Sequence, residues 1–309
     1  MKYLYTFGYR PEEQALCQLE MRMFFGYDNS LNYLFSNQLV EPKRSPFIRE
    51  RLQVLVNATS LEDLLNLLNG YITGNKYKVI CLHKERIGTE EKWSLEKRRE
   101  VERAIGVQLC GEVDLIEPDI LYGVVCINGE WFFGQIQEGE AVWLKHQKRP
   151  EEYSTALSTK HARAIVNIAV PTIENVIVID PCCGVGTVLV EACSMGIQIT
   201  GRDKNWFVTS GSRKNLAHFG YSCEVVLGSI EEATGHYDTA IIDMPYNVFT
   251  HSSENDKQSI IVSARKLANR VVFISSEAIE HQIEQAGFKI IDQCVIPKQK
   301  FARTVFVCE

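Results

Sequence analysis

The stretch Asn175-Val176-Ile177-Val178-Ile179-Asp180-Pro181-Cys182-Cys183-Gly184-Val185-Gly186-Thr187, continuing as VLVEACSMG, sets the architecture expected of the C-terminal half. An apolar run ends on a carboxylate, glycines follow, and a helix-like segment then begins. The order is strand, tight loop, helix. Gly184 and Gly186 let the backbone approach a ligand closely, and the helix start offers N–H groups with no partner inside the helix. Asp203 closes the next strand-like run, where its carboxylate can accept hydrogen bonds from ribose hydroxyls. A nucleoside-bearing cofactor suits both features. A nicotinamide-binding loop would carry a third glycine three residues after the second, and Leu189 stands there. With Asp180 ahead of the glycines, S-adenosylmethionine, which has a sulfonium and an amino-acid tail, fits better than a pyrophosphate.

Around this unit the sequence alternates regularly. Strand-like runs are NVIVID, GIQITGRD, SCEVVLGS, TAIIDM, RVVFISS, KIIDQCVIP and RTVFVCE, with helix-like stretches between most of them. The pattern predicts a doubly wound, largely parallel α/β sheet. Only KQKFA joins the last two runs, too little for a helical crossover, so they are expected to form an antiparallel hairpin.

The fourth run ends Asp243-Met244-Pro245-Tyr246. An amine conjugated with a nucleobase is a poor nucleophile because its lone pair is delocalised. Asp243 and the carbonyl beside Pro245 can accept hydrogen bonds from its N–H groups and orient it. Tyr246 can stack on a flipped base, and Pro245 fixes the backbone. Taken alone the string is a strand followed by a proline turn. Its position one crossover beyond the third strand, at the carboxyl edge of the sheet, favours a site. Cys182 and Cys183 lie in the expected cofactor loop, and no cysteine lies directly after the fourth strand, so packing and loop structure explain them better than nucleophilic catalysis.

DPCCGVGT resembles the DP-x-C-G-x-G-T loop of class I methyltransferases, and DMPY resembles the (D/N)-P-P-Y motif of those that methylate exocyclic amines. The resemblance implies a seven-stranded Rossmann-like sheet with a terminal β-hairpin. It implies cofactor contacts at Asp180, Cys182, Gly184, Gly186 and Thr187, a ribose contact at Asp203, and an adenine contact at Ser229 and Ile230, where Ser229 replaces the usual acid. Asp243, Pro245 and Tyr246 become the catalytic set, with Met244 in place of the motif's first proline.

The N-terminal half reads as small α+β units. KYLYTFGY, LNYLFSNQLV, ERLQVLVNA and YKVICLH are strand-like. PEEQALCQLEMRMFFG, LEDLLNLLNG and SLEKRREVERAIG are helix-like, and DILYGVVCINGEWFFGQIQ is a hairpin turning at Asn128-Gly129. The segment VDLIEPDILYGVVCINGEWFFGQIQEGE resembles the C-terminal part of a THUMP domain, and the units before it resemble the ferredoxin-like domain that accompanies THUMP in RNA-modifying enzymes. The expected division is a ferredoxin-like domain over 1–57, a THUMP domain over 58–140, a polar linker over 141–155 and the methyltransferase domain over 156–309.

KRPEEYSTALSTKHARAIVNIA is similar to the segment before the catalytic domain of THUMP-linked tRNA guanosine N2-methyltransferases. Arg149, Ala156, Leu157, Ala162, Arg163 and Ala169 match it, whereas Ser154-Thr155 replaces a His-Pro pair and Thr159 a proline. That family implies cofactor contacts near Leu157, Ser158 and Thr159 and a grip on the acceptor end of tRNA through basic residues. Candidates for the grip are Lys43, Arg44, Arg49 and Arg51, and Lys145, Lys148 and Arg149 in the linker, with solvated surface as the alternative reading of either group.

With 309 residues, 45% hydrophobic and 23% charged, the chain can bury sizeable cores without disulfides or metals. A net charge of -6 leaves room for local basic patches only. None of the ten cysteines forms a CxxC pair, so a zinc site is not expected. The absence of a long apolar run or a signal-like start leads to a cytoplasmic expectation. The expected activity is methylation of a guanosine N2 amine in tRNA by S-adenosylmethionine. Two alternatives stay open: methylation of adenine N6 in nucleic acid, and a non-catalytic RNA-binding protein with a degenerate site, which Met244 and Ser229 suggest.

Overall fold

The computed structural model describes residues 1–27, 31–82, 93–153, 156–245, 254–298 and 301–309. Two units emerge, one from residues 1–8, 29–43 and 47–140, the other from 9–28, 44–46 and 141–309. Helix α1 (Gln14–Phe25), closed by Gly26 at φ 80°, therefore belongs with the C-terminal part of the chain.

In the first unit a single sheet takes the order β2-β1-β3-β8-β7-β5. Its strands are β1 (Tyr3–Phe7), β2 (Tyr33–Ser36), β3 (Ile48–Ala58), β5 (Tyr77–Cys81), β7 (Ile120–Ile127) and β8 (Glu130–Glu138), while β4 (Tyr71–Ile72) and β6 (Leu109–Cys110) pair separately. Strands from both sides of residue 57 share the larger sheet. Asn128 and Gly129 adopt φ 51° and 83°, the left-handed pair that a two-residue turn between β7 and β8 requires. Helix α2 (Leu61–Leu68) starts where the Ser60 hydroxyl accepts the Asp63 N–H, and α3 (Leu95–Gln108) where Ser94 does the same for Lys97. Their apolar residues Leu64, Leu68, Val101 and Ile105 cover Tyr77, Tyr122 and Phe133 of the sheet.

The second unit holds β9 (Ile177–Asp180), β10 (Gln198–Asp203), β11 (Val225–Leu227), β12 (Tyr237–Asp243), β13 (Ala268–Ser275), β14 (Ile290–Lys298) and β15 (Phe301–Cys308), in the order β11-β10-β9-β12-β13-β15-β14. The first five run parallel, and β15 lies antiparallel between β13 and β14. This is the sheet and terminal hairpin that the alternation predicts. Helices α4 (Val142–Lys145), α5 (Thr159–Ala169), α6 (Thr187–Ser194), α7 (Trp206–His218), α8 (Glu254–Leu267) and α9 (Glu280–Gln285) complete the unit. Residues 240–242, 271–274 and 305–307 are buried throughout, as strands covered on both faces must be.

Polar anchors fix the other helices of this unit. Glu20 of α1 accepts hydrogen bonds from Asn167 Nδ2 of α5 at 2.7 Å and from the Ser45 hydroxyl, and Arg22 pairs with Asp292 of β14 at 2.7 Å. The stretch 141–153, expected as linker, is packed in part: Trp143 and His146 are buried, and His146 Nδ1 lies 2.7 Å from Glu191 Oε1 of α6. The other oxygen of Glu191 accepts from Arg163 Nη1 at 2.8 Å, so this buried carboxylate ties α4, α5 and α6 together. Among the described residues no helix is long and apolar enough to cross a membrane.

Candidate active site

Strand order reverses between β9 and β12, and the crevice outside the carboxyl ends of such neighbours is where doubly wound sheets bind ligands. Asp180 ends β9, Asp203 ends β10 and Asp243 ends β12, so three carboxylates converge on this edge. Asp180 is buried and accepts the Cys182 N–H at 3.2 Å. Burial holds its carboxyl well above the usual range, and the Asp243 and Asp203 charges push the same way. Asp203 is raised by burial too, against the pull of two backbone donors: the N–H of Gly184 at 3.0 Å and that of Asn205 at 2.9 Å.

The loop between β9 and α6 owes its shape to its glycines. Gly184 and Gly186 sit at φ 53° and 80°. A Cβ on Gly186 would overlap the Ser212 hydroxyl, whereas one on Gly184 would project into open space. The Cys183 N–H donates to the Arg202 carbonyl at 2.9 Å and stitches the loop to β10. Burial raises the Cys182 and Cys183 thiols well above their usual value, so neither is a ready thiolate. Thr187 opens α6, and its hydroxyl accepts from Arg149 Nη1 at 2.7 Å.

The remaining expected cofactor residues are placed less uniformly. Leu157 and Thr159 are buried, and the exposed Ser158 caps α5 by accepting the His161 N–H at 3.2 Å. Ser229 precedes a single 3-10 turn. Its carbonyl accepts from Arg202 Nη1 at 3.1 Å, and Ile230 beside it is buried. Two residues later stands a further carboxylate, Glu231, whose Oε1 accepts the Ser259 hydroxyl at 2.7 Å. That hydrogen bond holds Glu231 below the usual carboxylate range. In the sequence its only signal is the pair of acids in GSIEE.

In DMPY, the Met244 N–H donates to the Ile274 carbonyl at 2.8 Å and its side chain is buried in the core with Ile242 and Phe273. Pro245 follows half-buried at the sheet edge, and Tyr246 lies outside the described residues. Of the expected tRNA-binding cations, Lys43, Arg49, Lys145 and Lys148 are exposed. Arg44, Arg51 and Arg149 are half-buried. Arg44 donates to the Val170 carbonyl at 2.8 Å and the Pro171 carbonyl at 2.9 Å, and burial lowers it to about 10. Arg51 binds Glu41 at 3.1 Å and Gln137 at 2.5 Å, and Arg149 is held by Thr187. Among the described residues no group of three or more His, Cys, Asp or Glu side chains is arranged to hold a metal ion.

Known proteins resemble this chain in part. It is 31% identical over 161 residues to the tRNA (guanine(10)-N2)-dimethyltransferase of Methanothermobacter thermautotrophicus, covering 48% of each chain. A tRNA (guanine(6)-N2)-methyltransferase of Archaeoglobus fulgidus is 24% identical over 338 aligned positions, covering 92% of this chain and 82% of that one. The chain spans about half or less of the length of the guanine(10) relatives it matches. Among solved structures, TrmN from Thermus thermophilus aligns over 100% of this chain and 99% of its own, at 17% identity and a TM-score of 0.49. The stretch 146–277, which carries the glycine loop, Asp203 and Asp243, matches the family model UPF0020, described as the RMKL-like methyltransferase domain.

Proposed function

We propose that this chain methylates the exocyclic N2 amine of a guanosine in tRNA, with S-adenosylmethionine as donor. One observation carries the reading: Asp243 stands at the end of β12 in the crevice formed with β9, beside the glycine loop and the Asp180 carboxylate. The names of the curated relatives support it, since they specify guanine N2 of tRNA.

The residues present fit the cofactor. Open space over Gly184 gives a ligand access to the loop backbone, and Asp203 keeps lone pairs for ribose hydroxyls beyond its two N–H partners. Asp180, Cys182, Gly184, Gly186 and Thr187 would line the methionine side, and Ile230 with the Ser229 backbone would flank the adenine. Leu157, Ser158 and Thr159 would close the methionine end. When bound, S-adenosylmethionine supplies an electrophilic methyl group on a sulfonium. The carboxylate of Asp243 and the carbonyl beside Pro245 accept hydrogen bonds from the guanine amine and favour the charge that develops on its nitrogen. Tyr246 stacks on the base.

The N-terminal part, read as ferredoxin-like and THUMP domains over 1–57 and 58–140, would hold the acceptor end of the tRNA in the cytoplasm. Because Lys43, Arg49, Lys145 and Lys148 are the exposed members of the two groups, the phosphate contacts fall chiefly to them. The test is incubation with bulk tRNA and methyl-labelled S-adenosylmethionine, followed by mass spectrometry of the nucleosides. N2-methylguanosine is expected from the wild type and is lost with Asp243→Ala. Label on adenine N6, or full activity in Asp243→Ala, would overturn the assignment.

A further inference from the structure

Helix α7 begins with two large aromatic residues that face solvent: Trp206 is 58% and Phe207 78% exposed. Their rings meet edge to face, centroids 5.3 Å apart at 79°. A single exposed aromatic needs no explanation, but adjacent ones at the mouth of a candidate site do. Each ring removed from water would gain favourable burial, and neither covers the core of this unit.

The pair is also held in register with the cofactor loop. Asp203 accepts N–H groups from Gly184 of the loop and from Asn205, and the Asn205 side chain in turn accepts the Phe207 N–H at 2.9 Å. Below the rings, the buried Thr209 hydroxyl donates to the Trp206 carbonyl at 3.0 Å. The first turn of α7 is therefore fixed to the end of β10.

The surrounding charge selects the occupant. Lys204 is exposed and close enough to Asp203, Cys182 and Glu231 to act on their charge. No acid lies in the first turn of α7, and the carboxylates across from it are engaged, Glu231 with Ser259 and Glu232 with Arg202. Rigid rings beside an ammonium group are what an unpaired nucleotide needs: a surface to stack on and a cation for its phosphate.

We propose that Trp206 and Phe207 form a stacking platform, with Lys204 as its phosphate contact, for an unpaired nucleotide of the RNA substrate next to the target base. The proposal rests on the tRNA methyltransferase reading and adds to it a specific RNA contact on the catalytic unit.

The experiment compares the wild-type chain of 309 residues with the pair Trp206→Ala/Phe207→Ala, the ring-keeping pair Trp206→Tyr/Phe207→Tyr, and Lys204→Glu. Binding of labelled bulk tRNA is read by fluorescence anisotropy, S-adenosylmethionine binding by calorimetry and association state by sedimentation. The alanine pair is expected to weaken tRNA binding about tenfold or more, with cofactor affinity and thermal midpoint unchanged. The tyrosine pair restores most of the affinity, and Lys204→Glu weakens tRNA binding and lowers its salt dependence. Unchanged tRNA affinity in the alanine pair overturns the proposal. So does loss of cofactor affinity, which would mean that the rings pack on the adenine, or dissociation of a wild-type dimer, which would mean that they bind a second copy. If the wild type makes N2-methylguanosine in any of these cases, only the platform falls; a wild type that neither binds nor methylates tRNA overturns both readings.

Discussion

The carboxylate of Asp203 accepts the backbone N–H of Gly184 across 3.0 Å, so the acid at the end of β10 and the glycine loop after β9 fix each other. Asn in place of Asp203 keeps the shape and one acceptor but loses the charge and half of the pairing with Gly184 and Asn205. A hydrogen bond to a charged group contributes about 1.5–3 kcal/mol, so Asp203→Asn is expected to lower S-adenosylmethionine affinity by about ten- to a hundredfold. Calorimetry reads this directly, and an affinity equal to wild type would remove Asp203 from the cofactor site.

The two loop glycines make different demands. Both carry positive φ, a conformation that costs an L-residue about 1–2 kcal/mol. Gly186 alone also faces Ser212, whose Cβ would lie only 3.1 Å from an added Cβ. Gly186→Ala is thus expected to lose more stability in urea denaturation than Gly184→Ala, with Ser212→Gly recovering part of the difference. Gly184→Ala should fold well but bind the cofactor poorly, since its methyl occupies the open space above the loop.

Local chemistry made much of this legible in the sequence. The Asn128-Gly129 turn, the Ser60 and Ser94 caps and the strand ends at Asp180, Asp203 and Asp243 follow from residue types acting on their own backbone. What the sequence withheld was partnership. The apolar face of α1 says that it packs, but Glu20 meeting Asn167 across 147 residues does not show in any local pattern. Arg44 and Arg149 illustrate the same limit, because a guanidinium that caps carbonyls or holds a threonine hydroxyl has the same sequence signature as one that holds phosphate. Glu231 is a case of the same kind: GSIEE shows that acids follow the third strand, but not that the Ser259 hydroxyl of a distant helix donates to one of them.

Glu20 gives stability a pH dependence. Burial lifts it from 4.5 to about 8, against the opposing pull of Ser45, Asn167 and the two nearby arginines, Arg44 and Arg163. Between those values the folded chain binds more protons than the unfolded one. Its contribution is therefore complete below about 4.5 and is lost as pH rises toward 8, at no more than about 1.4 kcal/mol per pH unit. Thermal midpoints of the wild type should fall across this range. Glu20→Gln keeps an acceptor for Asn167 and an N–H for the Ser45 oxygen, and its curve should be flatter. The buried Asp180, also raised, tilts the curve the same way, so some slope remains in the variant. Parallel curves for the two proteins would show that Glu20 does not titrate as described.

Met244 departs from the proline of the (D/N)-P-P-Y motif, and its surroundings give the reason. Its N–H donates to the Ile274 carbonyl at 2.8 Å, extending the pairing of β12 with β13 by one residue, and its side chain is 2% exposed among Ile242, Ile261 and Phe273. Proline would remove the donor and leave a buried carbonyl unpaired, at about 1–3 kcal/mol. It would also leave space where the longer side chain packed, which for large-to-small core changes costs about 2–5 kcal/mol. Met244→Pro, although it restores the (D/N)-P-P-Y pattern, is therefore expected to destabilise the second unit by several kcal/mol, on the order of 3–5 with partial relaxation. Met244→Leu conserves volume and the N–H and should cost less than about 1.5 kcal/mol. Urea denaturation separates the two. A proline variant as stable as wild type would mean that the strand extension contributes nothing, and that the end of β12 at Asp243 tolerates either backbone.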